Sequence, residues 1–147
     1  MRAAHLRALF AELVFVETRL RACVDAKLRA EFGLPVNQFE LLNVVAGREA
    51  CQVRDIVAAL FLTTGGASKL VDRVEEGGLC RRRPNPEDRR SSIIELTSEG
   101  ATLLVRASEQ VEATLQSQLG SATISPAALE QFAALLKTPG ASGTSSA

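Results

Sequence analysis

The sequence is poor in the residues that build metal centres and covalent cross-links. Its 147 residues include one histidine, His5, and three cysteines, Cys23, Cys51 and Cys80, no two of which form a CxxC pair. An odd number of widely spaced cysteines fits neither a disulfide framework nor a zinc site. No Ser/His/Asp, Cys/His or paired-carboxylate arrangement is visible either. We therefore predict no metal, no cofactor and no enzymatic activity.

Long apolar runs and an excess of charge of one sign are also missing. No apolar run approaches the roughly 18 residues that a membrane-spanning helix needs, and the first residues lack the apolar segment of a signal peptide. We expect a cytoplasmic protein with no membrane partner. The formal net charge is +0. Because nucleic-acid-binding domains usually carry a basic excess, such binding would require positive charge that is concentrated locally.

Apolar residues are plentiful, at 46% of the chain, and most recur at helical spacing. This spacing predicts one long helix over residues 5–31, ended by Gly33, and a short buried helix over residues 36–46. Two further helices lie within residues 52–76. The second of them has Thr63 as its N-cap, because a threonine hydroxyl accepts from a free backbone N–H. Two helices joined by so short a turn indicate a helix-turn-helix.

The next segment has the character of a β-hairpin. Residues 79–83 and 93–96 read as strands, and the turn formers and charges between them predict a projecting tip. We expect Gly77 and Gly78 to end the preceding helix as left-handed caps.

Two helices follow the hairpin. Thr97 is predicted to cap a long helix that Gly120 ends, and Glu99 complements its N-terminal dipole. Pro126 opens a last helix. The tail, residues 138–147, has nothing to bury and is predicted to be disordered.

Two stretches carry a resemblance to a known family. The stretch GGLCRRRPNPEDRRSSIIELTSEG resembles the hairpin signature of the MarR (multiple antibiotic resistance regulator) family, and LTTGGASKLVDRVEEGGL resembles its recognition helix. The hairpin positions of that signature are occupied here by Asp88, Arg90, Leu96, Thr97 and Gly100.

The resemblance implies a mainly α fold with a small β-hairpin wing. One domain would span residues 1–137, with a winged helix-turn-helix region over 35–96. Both chain ends, residues 5–34 and 97–137, would form the helical dimerisation region.

The resemblance also implies a sequence-specific, DNA-binding transcriptional regulator, most simply a repressor. A homodimer would bind double-stranded DNA at a pseudo-palindromic operator, with the recognition helix in the major groove and the wing in the minor groove. Arg90 would read the minor groove, and Asp88 would hold its guanidinium. Residues 81–90 hold five arginines against two carboxylates, a local net charge of +3.

The candidate DNA contacts follow from these roles. Lys69 and Arg73 are expected on phosphate, and Asp72 is a candidate for an ion pair with a basic neighbour. Gly65 and Gly66 indicate either close approach of the backbone to DNA or a frayed first turn. The recognition-helix candidates are Thr63, Thr64, Gly65, Ser68, Lys69 and Arg73; the wing candidates are Arg82, Arg83, Asp88, Arg89 and Arg90.

Many proteins of this kind release DNA when a small lipophilic or phenolic effector binds, so the resemblance implies such a partner. We assign no ligand-binding residue, because phenylalanines at helical spacing fit a plain core equally well and the chain has no tyrosine or tryptophan to hydrogen-bond a phenol. Two alternatives stay open. One is a redox-responsive regulator, for which Cys51 and Cys80 are the cysteines expected to be more exposed than Cys23. The other is a winged-helix protein–protein interaction module. The phenylalanines in question are Phe10, Phe15, Phe32 and Phe39.

Overall fold

The structure is a computed structural model that describes residues 2–120 and, beyond them, Ala127, Glu130, Gln131, Ala133 and Ala134, all five of which are helical. Side chains are described from His5 onward. The rest of the predicted last helix, including Pro126, and the tail at residues 138–147 lie outside the described residues.

The described chain is mostly helical with one two-stranded antiparallel hairpin, which confirms the predicted fold class. None of the described helices has the length and apolar content that crossing a membrane requires. The hairpin β1–β2, residues 80–96, is called the wing below. The elements are α1 (Arg2–Phe32), α2 (Val36–Ala46), α3 (Val53–Leu60), α4 (Thr64–Glu76), β1 (Cys80–Pro84), β2 (Ser92–Leu96) and α5 (Ser98–Leu119).

The junction between α1 and α2 is fixed by hydrogen bonds from both sides. Gly33 adopts a positive φ of 62°, which suits a glycine at a helix end, and its N–H donates to the carbonyl of Arg29 at 3.0 Å. The Asp25 carboxylate accepts from the Val36 N–H at 2.8 Å and from the Arg29 guanidinium at 2.7 Å. These two donors lower the pKa of Asp25. The carboxylate thereby provides the cap that Pro35, at the N-cap of α2, lacks.

The core lies around α2, whose Leu41 and Leu42 are fully buried. The second half of α1 contributes Val24 and Leu28, and α5 covers the opposite side through Leu104 and Ala107. The helix-turn-helix and the wing pack against the same cluster, so the described chain forms one continuous core.

The strands of the wing differ from the prediction by one residue: β1 covers Cys80–Pro84 instead of residues 79–83, and β2 begins at Ser92 but ends at Leu96 as predicted. Pro84 is the last residue of β1 and pairs with Ser92, which a proline tolerates at the edge of a two-stranded ribbon. A third backbone segment joins the hairpin where the Ile94 N–H donates to the Cys51 carbonyl at 2.8 Å. The predicted pair of left-handed caps was half wrong: Gly78 has a φ of 74°, but Gly77 stays right-handed at −73°.

The start of α5 is pressed against the start of the wing. Thr97 caps the helix as predicted, because its hydroxyl oxygen accepts from the Gly100 N–H at 3.0 Å while its own proton goes to the Gly78 carbonyl at 2.7 Å. A side-chain carbon at Gly100 would overlap the carbonyl oxygen of Leu79. Only glycine fits at this contact, which gives a physical reason for the glycine of the Leu-Thr-x-x-Gly motif.

Candidate nucleic-acid interface

The first turn of α4 is firmly capped. The Thr63 hydroxyl accepts from the Gly66 N–H at 3.0 Å, which confirms Thr63 as the N-cap. A side-chain carbon at Gly66 would lie 3.0 Å from that same hydroxyl oxygen, so the cap itself accounts for this glycine. Gly65 is different: it is exposed, and a side-chain carbon there would have no neighbour within 4 Å. No packing within the described chain therefore explains Gly65.

The predicted contact residues of α4 lie on its outer side. Thr64, Lys69 and Arg73 are exposed and Ser68 is half-buried. Neither Lys69 nor Arg73 has an ion-pair partner within the described part of the chain, so both charges face solvent. The inward side of the helix consists of Ala67, Leu70, Val71 and Val74, all of them buried.

The wing tip is an ordered turn organised by Asn85. This side chain is only 7% exposed, and its amide donates to the Ser91 hydroxyl at 2.9 Å while its carbonyl oxygen accepts from the Glu87 N–H at 3.1 Å. Asp88 adds a further bond, but to the Arg90 backbone N–H at 3.0 Å. The expectation that Asp88 holds the Arg90 guanidinium was therefore wrong. The side chains of Asn85 and Asp88 both bond within the turn and so fix its shape, and the Arg90 guanidinium projects from it.

The five arginines of the wing divide into two groups. Arg89 and Arg90 are exposed at the tip, and neither side chain has a hydrogen-bond or ion-pair partner among the described residues. Arg81, Arg82 and Arg83 lie on β1, and all three are ion-paired.

Glu95 on β2 serves two of the strand arginines. It accepts from the Arg83 guanidinium and, at 3.3 Å, from Arg81. The hydrogen bond from Arg83 is the main reason why the pKa of Glu95 lies below its usual value. The sequence count of +3 omitted this carboxylate because it lies outside residues 81–90.

Arg82 turns toward α4 instead. Its guanidinium donates to Asp72 at 2.6 Å and also to Glu75, so Asp72 has the basic partner predicted for it. Burial alone would lower the pKa of Arg82, but the hydrogen bonds to the two carboxylates raise it overall. Within the wing, the arginines without an ion-pair partner in the described chain are thus the two at the tip, whereas the three on β1 are paired.

Comparison with known proteins relates this geometry to a family. A family model described as the MarR family matches residues 32–91, from the end of α1 to the wing tip. The HTH-type transcriptional regulator PecS of Dickeya dadantii is 33% identical over 87 residues, which cover 57% of this chain and 52% of that relative. Over residues 32–91 the chain is similar to the MarR family. Members of this family are transcriptional regulators rather than enzymes, in agreement with the predicted lack of enzymatic activity.

Solved MarR-family structures share the fold over most of this chain. A MarR-family regulator from Rhodococcus sp. RHA1 is 26% identical with a TM-score of 0.78, covering 88% of this chain and 90% of that one. A mutant MarR from E. coli, complexed with operator DNA, is 19% identical with a TM-score of 0.77, covering 90% and 94%. By sequence, this chain spans about half to three fifths of the length of the curated relatives it matches.

The burial of the cysteines contradicts the expectation that Cys51 and Cys80 are more exposed than Cys23. Cys51 and Cys80 are 0% and 2% exposed, and burial raises the pKa of each thiol to about 11. Since the thiolate is the reactive form, both are poorly suited to oxidation at neutral pH. Cys23, which is half-buried, is the most exposed of the three cysteines. A redox-responsive mechanism would therefore have to use Cys23.

The phenylalanines do not form a shared pocket. Phe39 is buried in the core and Phe32 lies under the Arg106 guanidinium, 5.3 Å from the ring centre, whereas Phe10 and Phe15 are 69% and 65% exposed on α1. Of these phenylalanines, Phe39 also lines an apolar groove of about 420 Å³ between α1, α2 and α5. Its lining includes Leu13, Leu20, Val24, Phe39, Val111 and Leu115.

Sequence reasoning missed the residues that organise the wing. The partners Glu75 and Glu95 are separated from their arginines by 7 and 12 residues, so no local pattern reveals them. Asn85 left a clearer signal, since asparagine before a turn commonly bonds to the backbone two residues on. Outside the wing, no sequence pattern predicted that Phe61 at the end of α3 would be 95% exposed with a φ of 53°.

Proposed function

We propose that this chain is a DNA-binding transcriptional regulator that acts as a homodimer on a pseudo-palindromic operator, in the manner of a repressor. The observation that carries the proposal is the pair of unpaired guanidinium groups, Arg89 and Arg90, at the end of an ordered hairpin. Long cations that form no ion pair within the described chain are suited to an external polyanion. The cytoplasmic localisation expected from the sequence stays part of this proposal.

Two elements would share the recognition of DNA. The N-terminal end of α4, with Thr64, Gly65 and Ser68, is suited to base edges in the major groove, and Lys69 and Arg73 to phosphates. The wing would enter the minor groove, where a guanidinium such as that of Arg90 is drawn to the enhanced negative potential of a narrow groove. The E. coli protein that shares this fold is complexed with operator DNA, which supports DNA as the partner.

The first half of α1 supports a dimer. Residues 5–19 are all exposed, so a row of large apolar side chains has no cover from the described part of the chain. An exposed apolar surface of this kind marks an interaction site, and burial against a symmetry mate is the common solution. A dimer would also set two recognition helices about 34–36 Å apart, one turn of B-DNA. The exposed side chains are Leu6, Leu9, Phe10, Leu13, Val14, Phe15 and Val16.

A small lipophilic or phenolic effector would bind in the groove between α1, α2 and α5. The groove lies between the proposed dimerisation helices and the winged region. A molecule bound there would change the angle between these two parts of the chain. The ion pair of Arg21 with Glu40, with N–O distances of 2.5 and 2.7 Å, closes one side of it. The position of the groove therefore supports the proposal that an effector releases the protein from DNA.

Fluorescence anisotropy tests the proposal on duplex DNA from the chain's own upstream region across a salt series. We expect tight binding whose logarithm falls linearly with the logarithm of salt concentration, by about 0.9 per phosphate contact. Weak binding that is equal on randomised duplexes and insensitive to salt would favour the alternative, a protein–protein interaction module. Sedimentation of the free protein would report the dimer independently.

A further inference from the structure

Arg82 makes more internal contacts than any other arginine of the wing. Its guanidinium donates to Asp72 at 2.6 Å and to Glu75, two carboxylates that lie one turn apart on α4. Its backbone N–H also donates to Glu75, at 3.4 Å. One residue of β1 is therefore bonded three times to the outer side of the recognition helix.

This cluster is a poor phosphate site. Both terminal nitrogens of Arg82 are occupied by carboxylates, and its side chain is 28% exposed, against 69% for Arg81 and 40% for Arg83. Two carboxylates around one guanidinium leave a local charge of about −1, which repels a phosphate. The sequence-based assignment of Arg82 as a DNA contact does not account for either fact.

The two reading elements depend on a fixed relative position. Recognition helix and wing enter different grooves, so an error in the angle between them misplaces one or the other. Apart from Arg82, they are joined through the short connection at Gly77 and Gly78 and through the burial of Cys80 beside the Val71 carbonyl. A planar guanidinium that engages two carboxylates at once resists rotation as a single ion pair cannot.

We propose that Arg82 is a positioning residue that clamps the wing to the recognition helix through Asp72 and Glu75, and that it does not contact DNA. The clamp also offsets one of the two carboxylate charges beside the proposed DNA-facing side of α4. This inference rests on the proposed function, since it assigns Arg82 a role in DNA binding without contact.

DNA binding by four proteins distinguishes a loss of charge from a loss of wing positioning. Salt-series anisotropy on the upstream duplex would be measured for the wild type, Arg82→Ala, the double variant Asp72→Asn with Glu75→Gln, and Arg81→Ala. The last is the matched control: it removes the same charge one residue away. A clamp predicts that Arg82→Ala weakens binding roughly five- to tenfold with an unchanged salt slope.

The double variant changes the charge in the opposite direction from Arg82→Ala. It removes two negative charges per protomer, so electrostatics alone would tighten DNA binding, and a freed Arg82 would add a phosphate contact. The clamp predicts weaker binding instead, by a similar factor, and no further loss when Arg82→Ala is added. Tighter binding by the double variant, or a slope that falls by about 0.9 per protomer in Arg82→Ala, would overturn the proposal.

Hydrogen exchange of the free protein tests the clamp without DNA. We expect faster exchange of the wing amides in Arg82→Ala and in the double variant than in Arg81→Ala, while the exchange of α2 stays unchanged. Equal exchange in all variants would contradict the clamp even if DNA binding is confirmed. Faster exchange with no DNA binding by the wild type would leave the clamp standing and refute the proposed function. Should Arg82→Ala fail to fold, the double variant tests the same contacts from the α4 side.

Discussion

The winged helix-turn-helix region and the first half of α1 treat their apolar side chains in opposite ways. Leu41, Leu42 and Ile56 of the winged region are 0% exposed, whereas Phe10 and Phe15 of α1 are mostly exposed. Both sets recur at helical spacing in the sequence. Helical spacing therefore indicates that a helix face becomes buried, but not whether the same chain or a second one buries it. In the winged region the same chain supplies it; along α1 we infer that a second copy does.

The largest expected effect separates the two halves of α1 itself. Leu28 is 1% exposed and Leu13 is 41% exposed. Leu28→Ala should lower the free energy of unfolding by about 2–5 kcal/mol, because it leaves a cavity in the core. Leu13→Ala should cost much less, and its cost should depend on protein concentration because it acts through the dimer. Denaturant unfolding at several concentrations measures both, and equal, concentration-independent losses would abolish the distinction.

The next effect concerns the junction between the wing and α5. Gly100→Ala should destabilise the fold by about 1–3 kcal/mol or more, because the added carbon meets the Leu79 backbone, which has no side-chain rotation to relieve it. The control is Ala101→Ser, at the next and exposed position of α5. Thermal unfolding with no loss in Gly100→Ala would show that α5 can move away from the wing.

Arg90→Ala separates the two exposed surfaces by function. We expect it to weaken operator binding by about 1–3 kcal/mol and to leave the dimer intact, since the wing tip lies apart from α1. Anisotropy and sedimentation on the same preparation give the two readouts. Unchanged affinity would remove Arg90 from the minor groove, and a lost dimer would show that the wing tip contributes to the dimer contact.

The sequence was sufficient for the elements and insufficient for the electrostatics. The α2 boundaries, the Thr63 and Thr97 caps and the hairpin all follow from local rules, because each depends on residues within one or two turns. The pairing of Arg83 with Glu95 does not, since cross-strand register decides it. For the same reason a count of charges along residues 81–90 could not distinguish paired arginines from the free pair at the tip.

The burial of the cysteines shows the same limit. Cys51 and Cys80 flank the helix-turn-helix in sequence, where loops are usually exposed. The bridge between Cys51 and Ile94 and the start of β1 at Cys80 bring both residues inside. Only the long-range packing of the wing determines their reactivity.

The smallest expected effect tests whether an exposed position in the winged region also awaits a partner, as the first half of α1 does. Gly65→Ala meets no atom within 4 Å. In a helix alanine is favoured over glycine by up to about 1 kcal/mol, so the variant should be as stable as the wild type or more so. If the backbone at Gly65 approaches DNA closely, the same variant should bind the operator several-fold more weakly. Stability and affinity would then change in opposite directions, which neither a frayed turn nor a purely structural glycine produces. Thermal unfolding and anisotropy on one sample decide between them, and a gain in stability with unaltered affinity would remove Gly65 from the interface.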